Sequence, residues 1–586
     1  MKYGNFSLCR GDHDGDPQKD LYPRWGSIDN PSSEIISGET ELTNNSSSAT
    51  LTIPEHVKSL QNDLQTLGFS IVGEPDGKFG PSCEWAVREF QIYASMSQVA
   101  RVRPEKTGQL LLNSNGFPVT IENNNIYYDS AAHIVNKAGQ TPEANSNSEK
   151  KISYYVDSLE SVTNGHLYEG PISGVLNRET RNALEFWLEN NYRCPVIIEA
   201  WTWGKRLNKR INLIKNNLWK HDDIKDSSPR VFFRDFSNYY EYPSTRLNDQ
   251  YHVLGYYATQ AFGGPNASPG HSWSPEASMS TENILGHNFD LNQINSPALS
   301  TYRVIRVVAE AECYGRFDVL NAWDNALMSA GPCHWTLGIY SGESYKNGEL
   351  SAFIAFLKSS EYTAYKKAFG NFGLSATNSW GDDEIYSRNT LTYTSWIKLA
   401  NENYNTSESE HNENEFDTLP RSKAGAHYLK SWHWFYRVSM AGRTIENYRN
   451  CMWEMAKIRL KAILEKEVTF HIDSNISRYT IRQIYTSEKA IAILLRWHVY
   501  RPAHIVSSNN NRLISIIEET IRDARNINWN LPVNEWGDTH ENELTRRLLL
   551  SLQSINNTIS TSINFGFNQP QGSVKTGRNS FMLEDS

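Results

Sequence analysis

The sequence predicts a mainly α protein of the α+β kind, divided into several units. Its 586 residues exceed the roughly 250–300 that a single core supports. Apolar residues recur at helical spacing over 56–69, 300–313, 428–464 and 487–498. A short helix–turn–helix pattern also occurs twice at a fixed offset, the mark of related small helical units.

Taken in order, residues 1–50 read as disordered, because Pro31 to Thr50 is rich in Ser, Asn, Thr and Glu and holds no aromatic residue. A compact unit follows. His56 to Phe69 reads HVKSLQNDLQTLGF, which places Val57, Leu60, Leu64 and Leu67 on one helical face with Gly68 at the end. Pro75-Asp76-Gly77 makes a turn, and a second helix carries Trp85, Ala86, Val87 and Phe90. Asp76-Gly77-Lys78-Phe79 and Ala86 to Phe90 align with Ser173-Gly174-Val175-Leu176 and Ala183 to Trp187 at a constant offset of 97 residues. Two modules are therefore expected, over 51–115 and 116–229, joined by the polar linker Pro142 to Lys151. After Arg230 the composition changes, with an aromatic-rich stretch to Tyr257 and a Gly/Pro/Ser loop over Gly263 to Ala277. Residues 230–566 read as one large helical unit, and 567–586 as a flexible tail.

Composition excludes several function classes. A net charge of −9 argues against a nucleic-acid partner, which would call for a basic stripe. No apolar run reaches the roughly 20 residues that span a bilayer, so no membrane partner is expected. Met1 to Asp20 lacks the apolar core of a signal peptide, so the protein is expected either to stay in the cytoplasm, where it is made, or to leave by a route that needs no cleaved signal. Six scattered cysteines form no CxxC pair and read as free buried thiols, with a Cys313–Cys333 bridge as the alternative. There is no HExxH, so neither metal nor cofactor is expected; a zinc amidase would need His252, His271 and His287 to converge. A cysteine peptidase is disfavoured because Cys333 and His334 are chain neighbours whose side chains diverge. Aromatic residues make up 12%, which suits sugar stacking, but stripes such as Trp432 to Tyr436 sit at helical spacing and read as core.

The segment most informative about chemistry is STYRVIRVVAEAECYGRFDVLNAWDNALMSAGPCHWTLG, residues 300–338. Glu310 and Glu312 lie about 200° apart around a helix and cannot share a face. Arg303, Arg306 and Glu310 form a solvated stripe with an Arg306–Glu310 pair. Glu312 shares a face with Ile305 and Val308, where lost hydration favours the protonated carboxyl that a general acid needs. Glu312 is thus preferred to Glu310 as the acid. Glycoside hydrolysis takes a second carboxylate, for which Asp324 is favoured over Asp318, a helix-capping candidate.

Two resemblances sharpen this reading. VKSLQNDLQTLGF, PDGKFG and AVREFQ resemble the three-helix peptidoglycan-binding module, over about 60 residues. The resemblance implies peptidoglycan as partner, with Asp76 and Phe79 in the binding module; Cys83 stands where Thr is usual, and Ser173 replaces Asp in the second copy. The pattern F-D-x-x-N-x-x-D followed by S-x-G-x-x-x-W resembles the lysozyme superfamily, which places its catalytic Glu at a helix end. It implies a lysozyme-like catalytic domain over 230–566, with Ser329, His334, Trp335 and Thr336 lining the substrate and His334 where Gln is common. Together these resemble antibacterial effectors of the type VI secretion system, which implies a secretion-system spike protein and an immunity protein as partners and the periplasm of a target bacterium as the place of action. A phage endolysin and a non-catalytic wall-binding structural component are the alternatives.

Overall fold

The structure is a computed structural model that describes residues 3, 7–15, 55–96, 166–204, 209–212, 230–235, 239–240, 295–313, 315–321, 325–404, 412–507, 511–567 and 574–584, with the strands between 98 and 161. Helices dominate, and the sheets are small, of two or three strands each. The mainly α (α+β) class stands.

The first unit grows from the turn at Gly77. Helix His56–Thr66 buries Val57, Leu60 and Leu64. Its first turn is capped from outside: the Asp14 carboxylate accepts from the amides of Val57 at 2.8 Å and Lys58 at 2.9 Å. Gln61 on this helix clamps the turn, accepting from Gly77 N at 2.8 Å and donating to Lys78 O at 3.1 Å. Gly77 has φ of 74°, the left-handed region that glycine adopts freely. Helix Pro81–Ala94 follows, with proline at its first turn where no amide is needed.

The second turn is clamped the same way, and by this second helix. Gln91 accepts from Gly174 N at 2.9 Å and donates to Val175 O at 3.0 Å. Helix Arg178–Glu189 then packs Trp187 edge-on to Phe90, ring centres 5.3 Å apart, and beside Phe69 at 6.2 Å. The two expected modules, 51–115 and 116–229, are therefore corrected to one three-helix core. Its third helix is delayed by an insertion holding the strands between 98 and 161. The insertion starts and returns at one point, since Tyr168 N donates to Ala94 O at 3.0 Å. Within it, Gln98–Val102 pairs antiparallel with Val156–Ser161 and then with Tyr192–Arg193 beyond the third helix. A separate sheet sets Val196–Gly204 between Lys209–Asn212 and Arg230–Asp235.

Two terminal expectations are also corrected. Within the stretch expected to be disordered, residues 7–15 pair with the module: Leu8 and Leu176 exchange backbone hydrogen bonds at 3.1 and 2.9 Å, and Gly11 N donates to Phe79 O at 2.9 Å. Within the expected flexible tail, residues 574–584 are tied down. Arg578 reaches the buried Glu541 carboxylate at 2.8 Å, and Met582 N donates to Ser300 Oγ at 3.0 Å. In both places hydrogen bonds run to partners far off in sequence, which local composition does not register.

The large unit is built around helix Ser296–Cys313, which packs against Glu488–Tyr500 and Asn557–Phe567. Helices Trp432–Thr444 and Glu446–Glu465 carry the aromatic stripe, and Trp432, Trp434, Phe435 and Tyr436 are core. The module docks on this unit. Arg437 Nη2 lies 2.6 Å from Glu89 Oε2, Tyr428 OH donates to Glu89 Oε1 at 2.6 Å, and Trp85 stacks on Tyr428 at 5.8 Å. Burial would raise the Glu89 pKa, but Arg437 and His433 bring it below the ordinary carboxyl value.

Candidate active site at the end of helix Ser296–Cys313

The two acids of the last helical turn diverge as their spacing requires. Glu310 pairs with Arg306 one turn back, but those side chains are only 11% and 13% exposed, so the expected solvated stripe is largely covered. The Glu312 side chain is 9% exposed. Its neighbours are not only aliphatic. His334 Nδ1 stands 3.2 Å from Oε2, and Arg496, from helix Glu488–Tyr500, lies against Oε1. Glu312 is thus held between a guanidinium and an imidazole, one on each carboxyl oxygen.

His334 reaches Glu312 from a tight turn. Strands Ser329–Ala330 and Trp335–Thr336 pair antiparallel, and Leu320–Asn321 adds a third strand. In the connection Gly331 has φ of 80° and His334 φ of 51°. A Cβ on Gly331 would meet the Trp335 ring at 2.7 Å, so glycine is required there. His334 is not glycine and holds a left-handed conformation that costs about 1 kcal/mol or more, a strain typical of functional positions.

The other expected residues fall in different places. Trp335 is core, stacked on Phe353 with ring centres 5.7 Å apart, and offers no face to a sugar. Ser329 is buried, and its Oγ and the Trp335 indole nitrogen have no hydrogen-bond partner among the described residues. Thr336 is half-buried in the same strand pair. Asp318 is sealed in the core, with Oδ2 taking Arg443 Nε and Nη2 at 3.1 and 3.0 Å, so it is neither cap nor catalytic partner. Asp324 lies outside the described residues, as do His252, His271 and His287. In the module, Asp76 holds its turn by accepting from Gln61 at 2.9 Å, and Phe79 is buried core.

Sequence reasoning missed a second acid. Glu349 opens helix Glu349–Ser360 and takes Arg459 Nη1 on both carboxyl oxygens, at 3.0 and 3.1 Å. Burial raises its pKa, while Arg459 and then His334 pull against the rise. Arg459 Nε also donates to His498 Nδ1 at 3.1 Å, so His498 carries its proton on Nε2 and gives it to Thr390 O at 2.8 Å. The one sequence signal was an acid directly after the glycine that starts a helix; Arg496, Arg459 and His498 gave none. The Cys313 and Cys333 thiols are free and buried, and burial pushes Cys333 up to about 12, which leaves no thiolate nucleophile.

Among the described residues no cluster of His, Cys, Asp or Glu is arranged to hold a metal, and no helix is long and apolar enough to cross a membrane. No curated protein and no solved structure matches the chain. A family match covers residues 54–97 and stops where the insertion begins, and on that match the chain carries a peptidoglycan-binding domain.

Proposed function

We propose that the chain is a peptidoglycan hydrolase that cleaves the β-1,4 bond between N-acetylmuramic acid and N-acetylglucosamine, with Glu312 as its acid. The observation that carries this reading is the surroundings of Glu312: a nearly buried carboxyl at a helix end, with Arg496 against one oxygen and a strained histidine on the other. Unpaired buried polar atoms are rare in folded proteins and gather where a substrate or water completes the set. Here Ser329 Oγ and Arg496 Nε are such atoms among the described residues, on elements next to Glu312. A sugar oxygen at Glu312 would receive its proton, with His334 positioned to exchange one with the same carboxyl. Glu349 and Asp324 are the candidates for the second carboxylate. The peptidoglycan-binding domain supports cell-wall association and supplies the substrate in high local concentration. Action in a rival cell's periplasm as a secreted antibacterial effector, with an immunity protein in the producer and a spike protein for delivery, is supported by the family resemblance.

Glu312→Gln tests the reading. The variant loses at least about a hundredfold in release of soluble fragments from purified peptidoglycan, yet still sediments with it. Mass spectrometry of the wild-type digest then separates a muramidase, which leaves reducing-end muramic acid, from a lytic transglycosylase, which leaves the anhydro sugar. A wild-type protein that sediments with the wall but releases nothing would instead be a structural binder.

A further inference from the structure

A hairpin that accepts a hydrogen bond from His498 holds features that the hydrolase chemistry does not use. Tyr386–Ser387 and Thr392–Tyr393 pair antiparallel beside a hollow of about 570 Å³ lined by Gly381, Asp382, Asp383, Tyr386, Arg388 and Tyr393. That volume falls in the range of about 300–1,000 Å³ in which small-ligand sites occur. Tyr386 and Tyr393 stand with ring centres 4.7 Å apart, and Trp380 stacks on Tyr393 at 4.4 Å. All three rings are only partly buried, although other aromatics of this unit, such as Trp396 and Tyr365, are fully covered. Phe356 packs behind Trp380 at 4.7 Å, so the cluster is held rigid from below.

The polar groups of the hollow are similarly uncommitted. Asp383 and Arg388 are exposed and line the same space, yet neither has a hydrogen bond or ion pair among the described residues. Asp382 uses one carboxyl oxygen on Ser379 N at 2.7 Å, and the other has no hydrogen bond among the described residues. Apolar ring faces flanked by a free carboxylate and a free guanidinium match a pyranose, which pairs C–H faces with a rim of hydroxyls. Arg388 would donate to an acetamido carbonyl, and Asp383 would accept from hydroxyls. A chain of hydrogen bonds also runs from the hairpin turn to Glu349. Thr390, in the hairpin turn, accepts from His498; His498 holds Arg459, Arg459 holds Glu349, and Glu349 lies within the field of His334.

We propose that this hollow is a glycan subsite, which holds an N-acetylhexosamine ring of the strand whose cleavage is assigned to Glu312. The choice of strand rests on the hydrolase reading; the sugar chemistry of the hollow does not. The test uses the full-length Glu312→Gln chain, titrated calorimetrically with the β-1,4 tetramer of N-acetylglucosamine, alone and with Tyr386→Ala or Asp383→Ala added. Tyr386→Ala is expected to weaken binding about tenfold, since losing one aromatic face costs about one factor of ten in affinity. Asp383→Ala, at an exposed and unpartnered position, is expected to weaken it severalfold with an unchanged melting temperature. Unchanged affinity in both variants overturns the subsite, as does a parent that binds no tetramer, or that binds free stem peptide at this position instead. The two readings fail separately. A wild-type chain that cuts no peptidoglycan while Tyr386→Ala still weakens tetramer binding removes the hydrolase and leaves the subsite. A chain that cuts peptidoglycan with tetramer affinity unaffected by either variant does the reverse.

Discussion

His433 shows how one buried side chain sets a response to pH. It sits between the module and the helical unit, sharing a hydrogen bond with Tyr93 OH at 3.1 Å and standing 3.5 Å from Glu89 Oε2. Burial pushes its pKa down to about 4; Glu89 pulls upward, and Arg437 adds to the fall. Between pH 6.5 and 4 the unfolded chain therefore takes a proton that the folded chain refuses. The stability from this residue is complete above pH 6.5 and declines as the pH drops, by about 2 kcal/mol at pH 5. Glu89 acts in the same direction, because its lowered pKa gives stability above the ordinary carboxyl range that is lost on acidification. His498, buried and likewise shifted down, adds a parallel slope. The difference between wild type and His433→Gln isolates one proton. In urea unfolding from pH 7 to 5, the variant is expected to lose about 2 kcal/mol less than wild type. Parallel curves would mean that His433 takes up its proton equally in the folded and the unfolded chain.

At the scale of elements, the module shows what spacing can and cannot reveal. The repeat of Gly77 and Gly174 was legible, and so were the helices on either side, because turn glycines and apolar periodicity are local signals. Whether two turns belong to one core or two was not, because that depends on which helix clamps each turn. Gln91 belongs to the second helix and holds the third helix's turn 83 residues away. The same limit applied at the candidate site. Helical phase singled out Glu312 as a candidate, but Arg496 and Glu349 arrive from other helices by long-range packing, so apolar surroundings were expected where charged ones stand. One core with an insertion makes a specific prediction. Because Tyr168 N meets Ala94 O at 3.0 Å, a short Gly/Ser loop can replace residues 97–165 without moving either helix. The shortened chain is expected to keep its peptidoglycan sedimentation and to melt within a few degrees of wild type, while a Gly174→Ala change destabilises it by about 1–2 kcal/mol. A chain that loses its module on excision would show that the inserted strands are part of that core.

For the molecule as a whole, the question is whether wall binding and the Glu312 site move as one body. The contact between them is polar and buried: Glu89 from the module, Arg437 from helix Trp432–Thr444, and Tyr428 and Tyr93 closing the sides. The guanidinium also lies over the Phe372 ring at 4.2 Å and the Trp434 ring at 4.9 Å. Arg88 adds a bridge by donating to Ala400 O and Ile172 O, each at 2.7 Å. Such a pair gives little net stability over an apolar replacement, but breaking one half leaves a charge stranded in the core. Glu89→Ala is therefore expected to cost about 3–5 kcal/mol, and Glu89→Leu with Arg437→Met to recover most of that loss. The double variant would then be stable but without the directional contacts that fix the docking angle. If rigid docking is what presents the glycan strand to Glu312, the double variant should still sediment with peptidoglycan while releasing fragments more slowly from intact sacculi than from soluble strands. Equal slowing on both substrates would place the effect in the Glu312 site itself, and no slowing on either would mean that the two parts work without a fixed geometry.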